Sequence, residues 1–200
     1  MSKANQAYQF KVTLGEIEPP IWRRILVPAK YSFWDLHVAI QDSMGWLDYH
    51  LHLFRVREPE SGDVIEIGIP NDEPFEDEIP CTPGWDVAVA EYFTKGDAAE
   101  YLYDFGDDWQ HVVTLEAIVD RVAKARYPQC LAGSRACPPE DCGGVGGYAN
   151  VLRVIANPSD EEYESMMEWL GGEYDPERFE PAKVRFDNPK KRWDIAFLDA

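Results

Sequence analysis

The chain has 200 residues, 45% of them hydrophobic and 13% aromatic, which is enough for a packed core and too much for a disordered chain. Its formal net charge of −18 repels phosphate backbones and gains nothing from counterion release, so nucleic acid is a poor partner. The N-terminal Met1-Ser2-Lys3-Ala4-Asn5-Gln6 lacks an apolar signal region, and no run of about 18 apolar residues occurs, so a cytoplasmic location is expected and no membrane partner.

The length suits one domain over residues 1–200, with a sheet-rich core at 6–125 and a Gly/Pro-rich loop and helical part at 126–190. Tyr8 to Leu14 alternates apolar and polar residues, predicting a strand with one buried face. Ile21 to Val27, closed by Pro28, is a second strand. Ser32 and Asp35 then form a Ser-x-x-Asp helix start, Phe33, Leu36, His37, Ile40 and Met44 share one face, and Gly45 is a C-terminal stop. His50 to Arg57 and Val64 to Ile69 read as a hairpin around Glu60-Ser61-Gly62-Asp63. Residues 70 to 85 read as a long loop carrying Asp72, Glu73, Glu76, Asp77 and Glu78, either a solvated linker or a cation-binding lid.

Trp85 to Phe93 contains a short helix, and strands at Glu100–Phe105 and Trp109–Val119 flank a Gly106-Asp107-Asp108 turn. After Arg126 the chain is turn-rich through Gly147. Two helices follow, the first striped by Tyr148, Val151, Leu152 and Ile155. The second starts at Ser159 with Glu162 and is striped by Tyr163, Met166, Met167 and Leu170. From Asp175 the tail reads as short capped turns. Strands first and helices last define an α+β class: a mainly antiparallel sheet, opening strand-strand-helix-strand-strand, with helices on one side.

Residues 101 to 111 concentrate more chemistry than a tight turn needs: Asp104, Asp107, Asp108, His111 and four aromatic rings around Gly106. About fifty residues upstream, His50 and His52 sit at i and i+2, where a strand turns both side chains to one face. Either the set His50, His52, Asp104, Asp107, Asp108 and His111 converges on one divalent transition metal, or these residues satisfy turns, ion pairs and core hydrogen bonds. On the structural alternative, Asp104 pairs with Arg23 or Arg24, while Glu140 and Asp141 cap the next helix. On the metal alternative, Glu140 and Asp141 are candidates for a general base or for a group orienting a ligand. Cys130, Cys137 and Cys142, with Cys81 upstream, lack the Cys-x2-Cys spacing of structural zinc sites and read as thiols. Two small basic groups, one including Arg23, Arg24, Arg55 and Arg57 and the other Lys190-Lys191-Arg192, read as solvated charge. No Ser-His-Asp, phosphate-loop or dinucleotide motif is present.

Five motifs occur in order: Pro19-Pro20-Ile21-Trp22-Arg23-Arg24; Leu36-His37; Gly45-Trp46 with His50-Leu51-His52-x-Phe54; Tyr103-Asp104-Phe105-Gly106-Asp107-x-Trp109-x-His111; and Cys137-Pro138-Pro139-Glu140-Asp141-Cys142-Gly143-Gly144. In this combination the chain resembles the plasmid pRiA4b Orf-three-like family over roughly residues 6 to 190. The resemblance implies an α+β domain without an established activity and an association with plasmids or mobile elements, some members being labelled resolvase-like. A serine recombinase needs an activated serine among arginines and a helical DNA-binding module, and this acidic chain offers neither.

Two functions are therefore open. One is a non-catalytic interaction module for a protein or small-molecule partner, recognised through Trp22, Arg23, Arg24, Trp46, Tyr103 and Trp109, since interfaces favour aromatics and arginine. The other is a divalent-metal-dependent hydrolase built on the histidine and aspartate motifs.

Overall fold

The structure is a computed structural model that describes residues 5–70 and 79–198. Eight strands form one sheet in the order β5-β4-β3-β6-β7-β1-β2-β8. They are β1 (Gln6–Leu14), β2 (Trp22–Pro28), β3 (His52–Arg57), β4 (Val64–Gly68), β5 (Cys81–Pro83), β6 (Ala98–Tyr103), β7 (Trp109–Asp120) and β8 (Gln129–Ser134). All neighbours are antiparallel except β4 and β5. The helices are α1 (Phe33–Met44), α2 (Val89–Tyr92), α3 (Gly144–Ile155), α4 (Tyr163–Trp169) and α5 (Pro189–Phe197). The class is α+β with the sheet dominant.

Strand periodicity sorts the side chains into an inner and an outer face. Phe10, Val12 and Leu14 of β1, Ile25 and Val27 of β2, Phe54 and Val56 of β3, and Val113 and Leu115 of β7 are buried on the inner face. Helix α1 covers them, with Phe33 meeting Phe54 edge to face at 5.2 Å. Its start is the predicted capping box: Asp35 N donates to Ser32 Oγ, and Ser32 N donates to the Asp35 carboxylate. Its end is Gly45, left-handed at φ 95°, whose N–H returns to Gln41 O at 2.8 Å. The outer face is polar, Arg24 holding Glu116 through two hydrogen bonds at 2.6 and 2.8 Å.

Several local expectations are corrected. Part of the expected 70–85 loop, Cys81–Pro83, is an edge strand parallel to β4; the acidic residues Asp72, Glu73, Glu76, Asp77 and Glu78 lie outside the described residues. The turn-rich stretch after Arg126 contains β8, paired to β2. Glu162 occupies the N-cap of α4 without a side-chain bond, and no residue of that helix is fully buried. The tail holds a true helix, α5, capped by Asn188 and opened by Pro189. Its aromatic side packs on the rest of the chain: Phe197 lies 5.6 Å from Trp34 and 5.3 Å from Trp85. Among the described residues, no helix is long and apolar enough to cross a membrane.

Candidate metal centre

Strand β6 ends, and β7 and β3 begin, at the same edge of the molecule, since Tyr103 pairs with both Trp109 and His52. Three loops meet there. The first, residues 45–51, leaves α1 and turns sharply at Asp48, which has φ 65°. The second is the 104–108 turn, and the third is the 137–143 segment preceding α3.

Specific bonds lock these loops together. Glu140 is the clamp between the first and third: one carboxylate oxygen accepts Leu47 N–H at 2.7 Å, and the other accepts the Tyr103 hydroxyl at 2.5 Å. The same Tyr103 oxygen accepts Tyr49 N–H at 3.2 Å. The Trp46 indole N–H donates to Pro138 O at 2.9 Å. Asp107 joins the second loop to the third by accepting Gly143 N–H at 3.1 Å. Gly144, at φ 66°, sits so close that a Cβ there would lie 2.4 Å from Asp107 O, so this contact requires glycine.

The result is one convergence of donors. His50 Nε2 lies 3.0 Å from Asp141 Oδ1 and 3.6 Å from Asp104 Oδ2. One ligand atom from each of the three residues lies within 4.8 Å of the others. The 3.0 Å approach lacks hydrogen-bond geometry, and His50 Nε2 is a buried nitrogen without a hydrogen-bond partner. Asp104 is left-handed at φ 57° and spends its Oδ1 on the N–H groups of Gly106 and Asp107, which leaves Oδ2 facing His50. Asp141 is also left-handed, at φ 58°. Aspartate tolerates this conformation better than most residues, and such backbone concentrates at functional sites. Asp104 is buried, His50 is partly buried and Asp141 is open to solvent.

The other expected ligands lie elsewhere. His52 points into the core and stacks on His37, with centroids 3.4 Å apart. Burial first, and the neighbouring His37 second, holds its pKa well below the ordinary imidazole value. His111 is also interior; its Nδ1–H donates to Tyr101 O at 3.2 Å, and burial lowers its pKa to about 4. Both histidines follow from the strand period: they alternate with outward residues, and inward at this position means the core. Asp107 serves the loop junction, and Asp108 accepts Gln110 Nε2 at 2.9 Å. Asp104 pairs with neither arginine, Arg24 being taken by Glu116. Asp141 does not cap α3, whose N-cap Gly143 has no side-chain bond. Glu140 has both oxygens engaged, so it is a clamp rather than a free base.

The expected recognition surface is largely interior. Arg23, Trp46, Tyr103 and Trp109 are buried. Arg23 donates to the carbonyls of Trp22, Ser43 and Ser134 and stacks on Phe179 at 3.7 Å. Trp22 and Arg24 remain on the outer face of the sheet, Arg24 lying 5.1 Å from the Trp22 ring centre. All four cysteines are thiols. Burial pushes Cys137 and Cys142 up to about 12, so neither is a nucleophile near neutral pH.

Beneath the site lies a buried polar network that no single sequence motif marks. His37, a member of the helix stripe, pairs its Nε2 with Asp48 Oδ1 at 2.7 Å and its Nδ1 with the Tyr101 hydroxyl at 2.8 Å. Gln41 donates to that hydroxyl, and Arg192 of α5 reaches Asp48 and Asp42 at 3.5 and 2.7 Å. The signal was a titratable residue inside an apolar stripe, His37, eleven residues before the carboxylate it pairs with in the next loop, Asp48.

The profile of the family described as "Plasmid pRiA4b ORF-3-like protein" matches residues 6–183. The chain belongs to that family. It is 34% identical over 168 residues to "Uncharacterized protein y4hQ" of Sinorhizobium fredii (strain NBRC 101917 / NGR234), covering 84% of this chain and 82% of that one. It also matches the crystal structure of "Protein of Unknown Function MM3350" from Methanosarcina mazei Go1, with a TM-score of 0.83 and 44% identity, over 90% of this chain and 98% of that chain.

Proposed function

We propose that the chain binds one divalent transition metal through His50 Nε2, Asp104 Oδ2 and Asp141 Oδ1, and that it acts as a metal-dependent hydrolase. The observation that carries the reading is the convergence of an imidazole nitrogen and two carboxylate oxygens within 4.8 Å, on three separate loops. One nitrogen with two oxygens suits zinc, manganese or iron, and three protein ligands leave positions for water and substrate. The loops are fixed by other residues, Glu140, Asp107 and Tyr103, so the donors are arranged before an ion arrives. The alternative of a non-catalytic interaction module has less support, because four of the six residues that would recognise a partner are buried.

Chelator-treated protein should be tested on chromogenic esters, amides and phosphoesters, with zinc, manganese or ferrous iron added back. Turnover is expected only with metal, and Asp141→Ala should reduce it at least a hundredfold. Metal binding without turnover of any of these substrates would remove the hydrolase part of the reading.

A further inference from the structure

A groove of about 640 Å³ runs between the 46–51 loop, Ile69 and helix α5, and His50 forms part of its wall. Its lining is apolar beyond what a solvated surface requires. Leu47 is 62% exposed, Tyr49 72%, Leu51 52% and Ile195 66%, and all four border this one groove. Trp34 and Phe197 close its floor. Alternation along the loop explains the arrangement: Trp46 and Asp48 turn inward to anchor the chain, which leaves Leu47, Tyr49 and Leu51 outside. Contiguous apolar surface of this kind marks a binding site, and the volume lies within the range of small-molecule clefts, about 300–1,000 Å³.

The charged groups of the groove are already paired. Arg192 binds Asp48, Asp42 and Asp187, so its cation is committed within the protein and the cluster, one guanidinium with three carboxylates, stays negative and offers nothing to an anionic ligand. Polar recognition therefore falls on the His50 end, and apolar recognition on the rest.

We infer that the substrate is an uncharged ester or amide of an apolar acyl group, such as a medium-length alkyl chain. Its carbonyl lies at the His50–Asp104–Asp141 centre and its chain along Leu47, Tyr49, Leu51 and Ile195. This rests on the metal-dependent hydrolase reading and adds the substrate class. In the reaction the oxygen of water bonds to the acyl carbon, the bond from that carbon to the alcohol oxygen or amine nitrogen breaks, and a proton from water ends on the leaving group. A neutral substrate also fits a chain of net charge −18, which repels anions.

The test compares acetohydroxamate with octanohydroxamate, carbonyl analogues that chelate metal equally, by calorimetric titration of zinc-loaded protein. Burying a methylene strengthens binding about fourfold, so half-burial of the six additional ones predicts roughly a 60-fold tighter Kd for octanohydroxamate. Leu51→Asp should lose the chain-length gain. One bound zinc with the two Kd values within threefold would overturn the inference and leave the metal site standing. Failure to bind zinc at all would overturn the proposed function and the substrate class with it. A native dimer that Ile195→Asp converts to monomers would also overturn the inference, by assigning the groove to a second copy of the chain.

Discussion

Tyr101→Phe is expected to destabilise the fold by about 2–5 kcal/mol although the ring and its packing survive. The Tyr101 hydroxyl is the junction of a buried network, 2.8 Å from both His37 Nδ1 and Gln41 Nε2. Removing it leaves two interior polar atoms without partners, each costing about 1–3 kcal/mol, where water cannot replace the bond. Gln41 Oε1 is already a buried atom without a hydrogen-bond partner, so the site has little reserve. The check is urea unfolding: the midpoint should fall while the denaturant dependence stays constant. A loss below about 0.5 kcal/mol, the range of ordinary surface changes, would show that the network does not hold α1 to the sheet.

Stability should also fall steeply as the solution is acidified from pH 6.5 toward pH 4. His111 titrates at about 4 in the folded chain because it is buried, against an ordinary value of 6.5. Between those values the unfolded chain takes a proton that the folded chain refuses, so lowering the pH favours unfolding. The stability present above pH 6.5 drops by about 3 kcal/mol on this account, and the loss levels off below pH 4. His52, held low by burial and by His37, acts in the same direction. Asp35 and Asp42, whose buried carboxyls titrate above their usual range, act in the opposite sense at the acid end. Comparison with His111→Gln cancels those contributions: the slope of unfolding free energy against pH should shrink by nearly one proton between pH 6 and 4. An unchanged slope would mean that His111 protonates within the fold.

The elements that were legible in the sequence are those with local causes. Ser32 with Asp35, the apolar stripe and Gly45 define α1 within its own residues, and the alternation of Tyr8 to Leu14 defines β1. Strands β5 and β8 were not legible because each is an edge strand whose pairing comes from a partner distant in sequence, Glu66–Gly68 and Trp22–Leu26 respectively. Helix α5 did carry a signal, Asn188 followed by Pro189, that the capping rules could have caught. At the site, His50 and Asp104 stood out by residue type. Asp141 stood out as an acid but not as a companion of His50, because contacts between residues far apart in sequence bring those loops together, Glu140 on Leu47, Trp46 on Pro138 and Asp107 on Gly143. His52 and His111 were misleading for a physical reason: the alternation that placed them inward directed them to the core rather than to the rim.

The most direct test of the account is the metal content of the purified chain after equilibration with zinc or manganese, measured beside folded His50→Ala and Asp104→Asn. Asparagine at 104 keeps the oxygen that accepts Gly106 N–H while removing the carboxylate charge, so the turn should persist. One equivalent of metal in the native chain, with at least a tenfold weaker affinity in both variants, is the predicted result. A native chain without bound metal, or variants that retain it at full affinity, would contradict the assignment of His50, Asp104 and Asp141 as a metal centre.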